Sequence, residues 1–305
     1  MSHRRKWWVS LTRFAFANWL TLFLLSTIQP VAAQDCRIYT AVELRSSHAE
    51  KTAKGAKPDS RQIVGRSLSL FHGGKVYDYL DTLGEVTIFE PAREQFTLIS
   101  PSRMKLAHVS FAELQRQLDA AEERAAAHCV LLGASKDPLQ QKQLAWTRLQ
   151  LAPNFRESWD ATGKKLHLVS PLCEYRVDCT TTPESPSFVE TYARYADWTS
   201  RLNYLLHPQS MAPRPRLRLN AALRQHQVLP LAVELTTRLR QEQRLVAEHK
   251  LAWKLEPSDR GKIHDSEGML KDEFFELVSF EAFQRAILLE PPIVSQTSAR
   301  MPPLR

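Results

Sequence analysis

Few side chains here carry chemistry, and their spacing sorts them. Asp78 and Asp81 flank Tyr79 and Leu80 ahead of a break at Gly84. Carboxylates placed so can bind calcium or share acid–base work in hydrolysis. Two acids beside a turn also make an ordinary solvated edge, which is the expectation here. His128 sits directly before Cys129. A thiolate–imidazole pair must face each other, and neighbours on a helix do not. His128 therefore reads as a helix-end histidine favoured by the dipole. His249 falls on the apolar side of an alternating run and reads as a buried imidazole satisfied by a neighbour. His72, at a turn, reads as solvated. Arg214, Arg216 and Arg218 alternate with Pro213, Pro215 and Leu217. Phosphate contact with nucleic acid is the sharp reading of such a run; a solvated or interface loop is the expectation.

Cysteine offers a second chemistry. Cys36, Cys129, Cys173 and Cys179 make an even set, which in an exported chain permits two disulfides with three connectivities. Cys173 and Cys179 fall in one strand-like run and would lie about 20 Å apart, too far to pair with each other. No C-x-x-C spacing points to zinc. The 9 glycines form neither G-x-G-x-x-G nor a Walker loop, and G-x-S-x-G and H-E-x-x-H are absent. With no catalytic signature, the chain reads as a non-enzyme without cofactor.

The elements that must position these residues begin between Arg61 and Cys129. Leu68 and Leu70 alternate with Ser67 and Ser69, the period of a half-buried strand. Gly73-Gly74 is a hairpin signal, because both positions can take positive φ. Strand-like runs follow at 75–80, 85–90, 94–100 and 103–109, separated by Gly84, Pro91 and Pro101. Connections this short join antiparallel neighbours. Ser110 and Glu113 form a capping box, and Phe111, Leu114 and Leu118 start an apolar helical stripe. The pattern then repeats. Helix signals at 137–151 precede strand-like runs at 154–160, 164–170 and 173–180. Ser187 and Glu190 suggest a second capping box before Phe188, Tyr192, Tyr195, Leu202 and Leu206. A short basic helix is expected over 217–227, a hairpin from Leu231 to Leu255, a loop over 257–267 and a helix over 269–289. The fold class expected is α+β: a curved, mainly antiparallel, half-barrel-like sheet of about ten strands, with helices on its concave face.

The first 33 residues read as a secretory signal. Arg4, Arg5, Lys6 and Arg13 precede an apolar run from Phe14 to Ile28, and Val31-Ala32-Ala33 suits cleavage after Ala33. An uncleaved membrane anchor is the alternative. Residues 34–290 then form one domain with an exposed loop at 46–60, and the proline-rich stretch 291–305 reads as disordered. The whole chain holds 41 Lys+Arg against 33 Asp+Glu. Removing the leader takes four cations and no acid, leaving +4, a weak case for a polyanion and none for nucleic acid.

Aromatic residues on the inward stripes remain. Phe96, Leu98, Trp159, Tyr192, Tyr195 and Trp253 could line an apolar cavity between sheet and helices, or simply fill a core. The runs Gly74-Lys75-Val76-Tyr77-Asp78, Val86-Thr87-Ile88-Phe89, Phe96-Thr97-Leu98-Ile99 and Leu229-Pro230-Leu231-Ala232-Val233-Glu234-Leu235 resemble the hairpins of the periplasmic lipoprotein-carrier family, which localises outer-membrane lipoproteins. The resemblance spans about residues 61–256. It implies a half-barrel wrapped around helices, a periplasmic or secreted location, membrane contact, and a lipid or lipoprotein acyl chain as ligand. The loop at 46–60 and the C-terminal helix depart from that family. The competing expectation is a structural or interaction module of the cell envelope with a filled core.

Overall fold

The structure is a computed structural model describing residues 35–46, 61–81, 84–182, 187–207 and 210–289. The expected signal (1–33), the expected loop beyond Ser46 and the expected tail (291–305) lie outside the described residues. Strands β1 (Cys36–Ser46), β2 (Arg61–His72), β3 (Lys75–Leu80), β4 (Glu85–Glu90), β5 (Gln95–Ser100) and β6 (Lys105–Ser110) come first. Gly73 and Gly74 close the β2–β3 turn at φ of 59° and 76°, values that glycine adopts without a Cβ clash. Pro91 and Pro101 each open one turn of 3₁₀ helix that ends in a left-handed residue, Glu94 and Met104. Ser110 Oγ then accepts from the Glu113 N–H at 3.1 Å and starts α1 (Phe111–Gly133).

The remaining elements are α2 (Pro138–Leu151), β7 (Arg156–Asp160), β8 (Lys165–Val169), β9 (Cys173–Thr180), α3 (Phe188–Leu206), α4 (Pro213–Gln225), β10 (Leu229–Thr237), β11 (Gln243–Ala252), α5 (Pro257–Met269), β12 (Glu276–Val278) and α6 (Phe280–Leu289). The twelve described strands form one open sheet, ordered β12-β6-β5-β4-β3-β2-β1-β11-β10-β9-β8-β7. All its pairs are antiparallel except β12 with β6. The fold is α+β, as the run of strands and helices implies.

Helices cover both faces of the β1–β6 region. On the inner face Phe71, Val76, Phe89, Phe96, Leu98 and Val109 meet Phe111 and Leu114 of α1, Phe188 of α3 and Phe283 of α6. On the opposite face Leu68, Leu70, Tyr77, Ile88 and Ile99 meet Leu255 and Ile263 of α5. β4 is therefore buried at all six positions, without the alternation of a half-wet strand. At the other end Leu166, Leu168, Tyr175, Val177 and Val233 pack against Trp146 of α2 and Leu219 and Leu223 of α4. Each such large apolar side chain gains about 1.5–3 kcal/mol from burial.

Several expectations change. Helices do not keep to one face: α5 lies on the far side, where a loop was expected. The expected 269–289 helix contains β12 and begins only at Phe280. Helix α4 starts at Pro213, not Leu217, because a proline at the first helical position lacks only an N–H that would have no partner there. Pro257 starts α5 the same way. The Ser187–Glu190 capping box does not form: Ser187 is itself in the helical region, and Glu190 accepts from Arg224 at 2.9 Å. On α5 the reciprocal bond exists with other residues, the Glu256 N–H donating to Asp259 at 2.9 Å. All four cysteines are free thiols, so the two disulfides that the even count allows are not formed. Cys36 lies in the core beside β2, whereas Cys173 and Cys179 lie in the core of β8–β10.

Candidate functional site

Ser67 and Ser69 take the inner face of β2, opposite to the leucines beside them. Their strand partners extend a polar patch. Thr40 pairs with Ser67 and His249, and Ser69 pairs with Asp78. Helix α3 crosses this patch with Tyr192, Tyr195, Thr199 and Asn203, and α4 contributes Arg216. A cavity of about 290 Å³ lies between them, with Ile38, Leu80, Ala196 and Ala247 as its apolar wall. At roughly 30 Å³ per water-sized group, it has room for about ten.

The floor is a hydrogen-bonded chain. Ser69 Oγ donates to Asp78 at 2.8 Å and lies 3.2 Å from the Tyr195 hydroxyl. Asp78 is only 7 % exposed, so the solvated edge expected of it is not found; Asp81, by contrast, is exposed. Burial pushes the Asp78 carboxyl up, toward the neutral acid, while bonds from Ser69 and Tyr195 partly oppose this. Burial and then the nearby Asp78 hold Tyr195 well above its ordinary range. Burial likewise raises Tyr192, against the pull of Arg216.

His249 forms the side wall. Its Nδ1 lies 2.9 Å from Thr40 Oγ1, the neighbour expected to satisfy it, but Nε2 is sealed from solvent with no partner. Burial, then the charge of Arg216, bring its pKa down to about 4. The ring is therefore neutral at neutral pH, with one nitrogen unused. Arg216 Nε donates to Asn220 Oδ1 at 3.0 Å, and Asn220 donates onward to Asp197 at 2.7 Å. The basic run is thus the first turn of α4, with Arg216 facing inward; Arg214 instead pairs with Glu122 of α1.

The residues expected to line a cavity are dispersed. Tyr192 and Tyr195 border the polar pocket. Phe96 is fully buried between Phe89 and Phe111, with ring centroids 5.2 and 5.7 Å away. Leu98 belongs to the same core. Trp253 is half-buried and meets Phe188 edge to face at 5.0 Å. Trp159 is in the far half, stacked on His226 at 4.5 Å, and borders a different cavity of about 620 Å³. That larger cavity has charges on its rim that pair with one another, Lys165 with Asp178 and Arg176 with Glu234. The polar pocket is the better site because its donors are buried and not all matched.

Other chemistry is muted. Burial pushes Cys36, Cys173 and Cys179 up to about 12, so these thiols are protonated and unreactive at neutral pH. His72 bonds Asp35 at 2.7 Å beside the β2–β3 turn, and His128 is exposed on α1. Among the described residues no group of three or more His, Cys, Asp or Glu could hold a metal ion, and no helix is long and apolar enough to cross a membrane.

No family model matches the sequence, and no curated protein matches it. Among solved structures, this chain is similar to a LolA superfamily protein of Nitrosomonas europaea, with 7 % identity and a TM-score of 0.27. That match covers 74 % of this chain and 89 % of the other. The relation is distant.

Sequence reasoning missed Thr40 and Ser69 as site residues and read Asp78, His249 and Arg216 as bland. A signal was available. Thr40, Ser67, Ser69, Asp78 and His249 occupy alternating positions on consecutive strands, which align once the hairpin at Gly73-Gly74 fixes the register.

Proposed function

We propose that the chain is an exported, non-enzymatic binding protein of the cell envelope, and that the pocket between β1–β3, β11, α3 and α4 holds the polar end of an acyl lipid. The observation that carries this is a cavity lined by buried polar side chains, one of them with an unused hydrogen-bonding nitrogen, in a sheet face otherwise filled. Room for about ten small groups suits a head group and its first carbons. Ile38, Leu80, Ala196 and Ala247 give those carbons an apolar wall. The basic and apolar pattern of residues 4–33 supports export. At neutral pH His249, near 4, stays neutral and the tyrosines, above their ordinary range, stay protonated, so none of them exchanges a proton readily there, which favours binding over catalysis.

A second reading, an envelope interaction module without ligand, is favoured by the closely filled aromatic half of the same face. Native mass spectrometry of the purified full chain, before and after solvent extraction, separates the two. A removable mass in the fatty-acyl or phospholipid range is expected. A bare protein mass that takes up no added lipid would leave the interaction module as the better account.

A further inference from the structure

The pocket groups are sorted by charge. Among its lining residues Arg216 is the one permanent cation and Asp78 the one acid. Asp78 is engaged by Ser69 at 2.8 Å and sits on the floor. Arg216 forms no ion pair among the described residues; its named bond is to the neutral Asn220. Asp197, the nearest acid along that chain of bonds, is taken by Arg224 at 2.7 Å. A half-buried guanidinium without a counter-charge is costly, and it keeps donors able to meet two oxygens at once. Beside it stand the unpartnered Nε2 of His249 and the phenol of Tyr192, which its charge also reaches. Arg216 thus has neutral hydrogen-bond partners and, among the described residues, no ion pair.

We propose that the pocket is an oxyanion site, in which a carboxylate or phosphate of the ligand is held by Arg216, the His249 Nε2–H and the Tyr192 hydroxyl. With Nε2 carrying the proton, Nδ1 accepts from the Thr40 hydroxyl 2.9 Å away. This rests on the pocket being a ligand site, and it adds the charge of what binds there.

Calorimetric titration of the full chain, after solvent extraction, with octanoate, octanamide and octyl phosphate tests it. The amide matches the acid in size and lacks its charge. Octanoate or octyl phosphate should bind at least about tenfold tighter than octanamide, the scale of one charge-assisted contact. The tighter of the two anions names the head group as carboxylate or phosphate. Arg216→Met should erase the advantage, and Arg216→Lys should restore part of it. Equal affinity for octanoate, octyl phosphate and octanamide overturns the oxyanion site and leaves the ligand pocket standing. No uptake of any probe overturns both. If Arg216→Met fails to fold, the ratio measured on the wild-type chain still decides.

Discussion

Phe89, Phe96 and Phe111 meet ring to ring in one part of the inner face, with Trp198 stacked on Phe111 at 3.9 Å and Phe71 edge-on to Phe188. Beside them, on the same face, Thr40, Ser69, Asp78 and His249 line the polar cavity. The same helix, α3, covers both: Phe188 meets the rings, and Tyr192, Tyr195 and Thr199 meet the cavity. The filled part gains its stability from contact area, and a void there would cost it. The polar part gives up area for hydrogen-bonding groups that border a cavity. One sheet face thus separates the work of holding the fold from that of holding a ligand.

Substitutions should expose this division. Phe96→Ala should cost the most, about 3–5 kcal/mol in urea unfolding, because its site is enclosed on all sides. Trp253→Ala, at a half-buried position, should cost less; equal losses would break the contrast. Next comes acid. In the unfolded chain His249 takes its proton near 6.5, while the folded pocket resists until about 4. The folded pKa is depressed, so this contribution is whole above 6.5 and is lost as pH falls toward 4. The loss is on the order of 3 kcal/mol. Urea midpoints of wild type and His249→Gln at several pH values should converge across that window; parallel curves would remove His249 as the cause. Smaller still, Asp78→Asn should change stability by about 1 kcal/mol or less at neutral pH, since the amide resembles the neutral acid that burial favours. A loss of several kcal/mol would show that the pocket needs the carboxylate. Arg216→Met should be the mildest, about 0.5 kcal/mol, because the side chain has no ion pair to lose.

Much of the fold was legible because its signals are local. Gly73-Gly74 and the Ser110 cap dictate their own geometry whatever surrounds them. The site was less legible for two reasons. The alternation of Ser67–Leu70 gives the period of the strand and not which side is wet, and α5 makes both sides dry. The serines, and not the leucines, face the pocket. The second reason is proline. Pro213 and Pro257 look like loop punctuation, yet each is the first residue of a helix. Reading the first as a loop hid Arg216. Reading the second as a loop hid the helix whose Ser266 and Glu267 meet the Tyr79 and Tyr77 hydroxyls, Ser266 at 3.0 Å and Glu267 at 2.5 Å. The three-residue β12 offers no pattern of its own; it is defined by its parallel pairing with Lys105–Ala107.

β1 lies between β2 and β11, and that placement governs how the chain can be made. One edge of β1 finds β2 soon after synthesis, but the other must wait for residues 243–252. For most of translation and any passage through a membrane, that edge stands open as a template for foreign strands. Arg37, Glu43 and Arg45 are spaced along it. Charges on an unpaired strand discourage mispairing, so β1 carries its own protection until the C-terminal hairpin arrives.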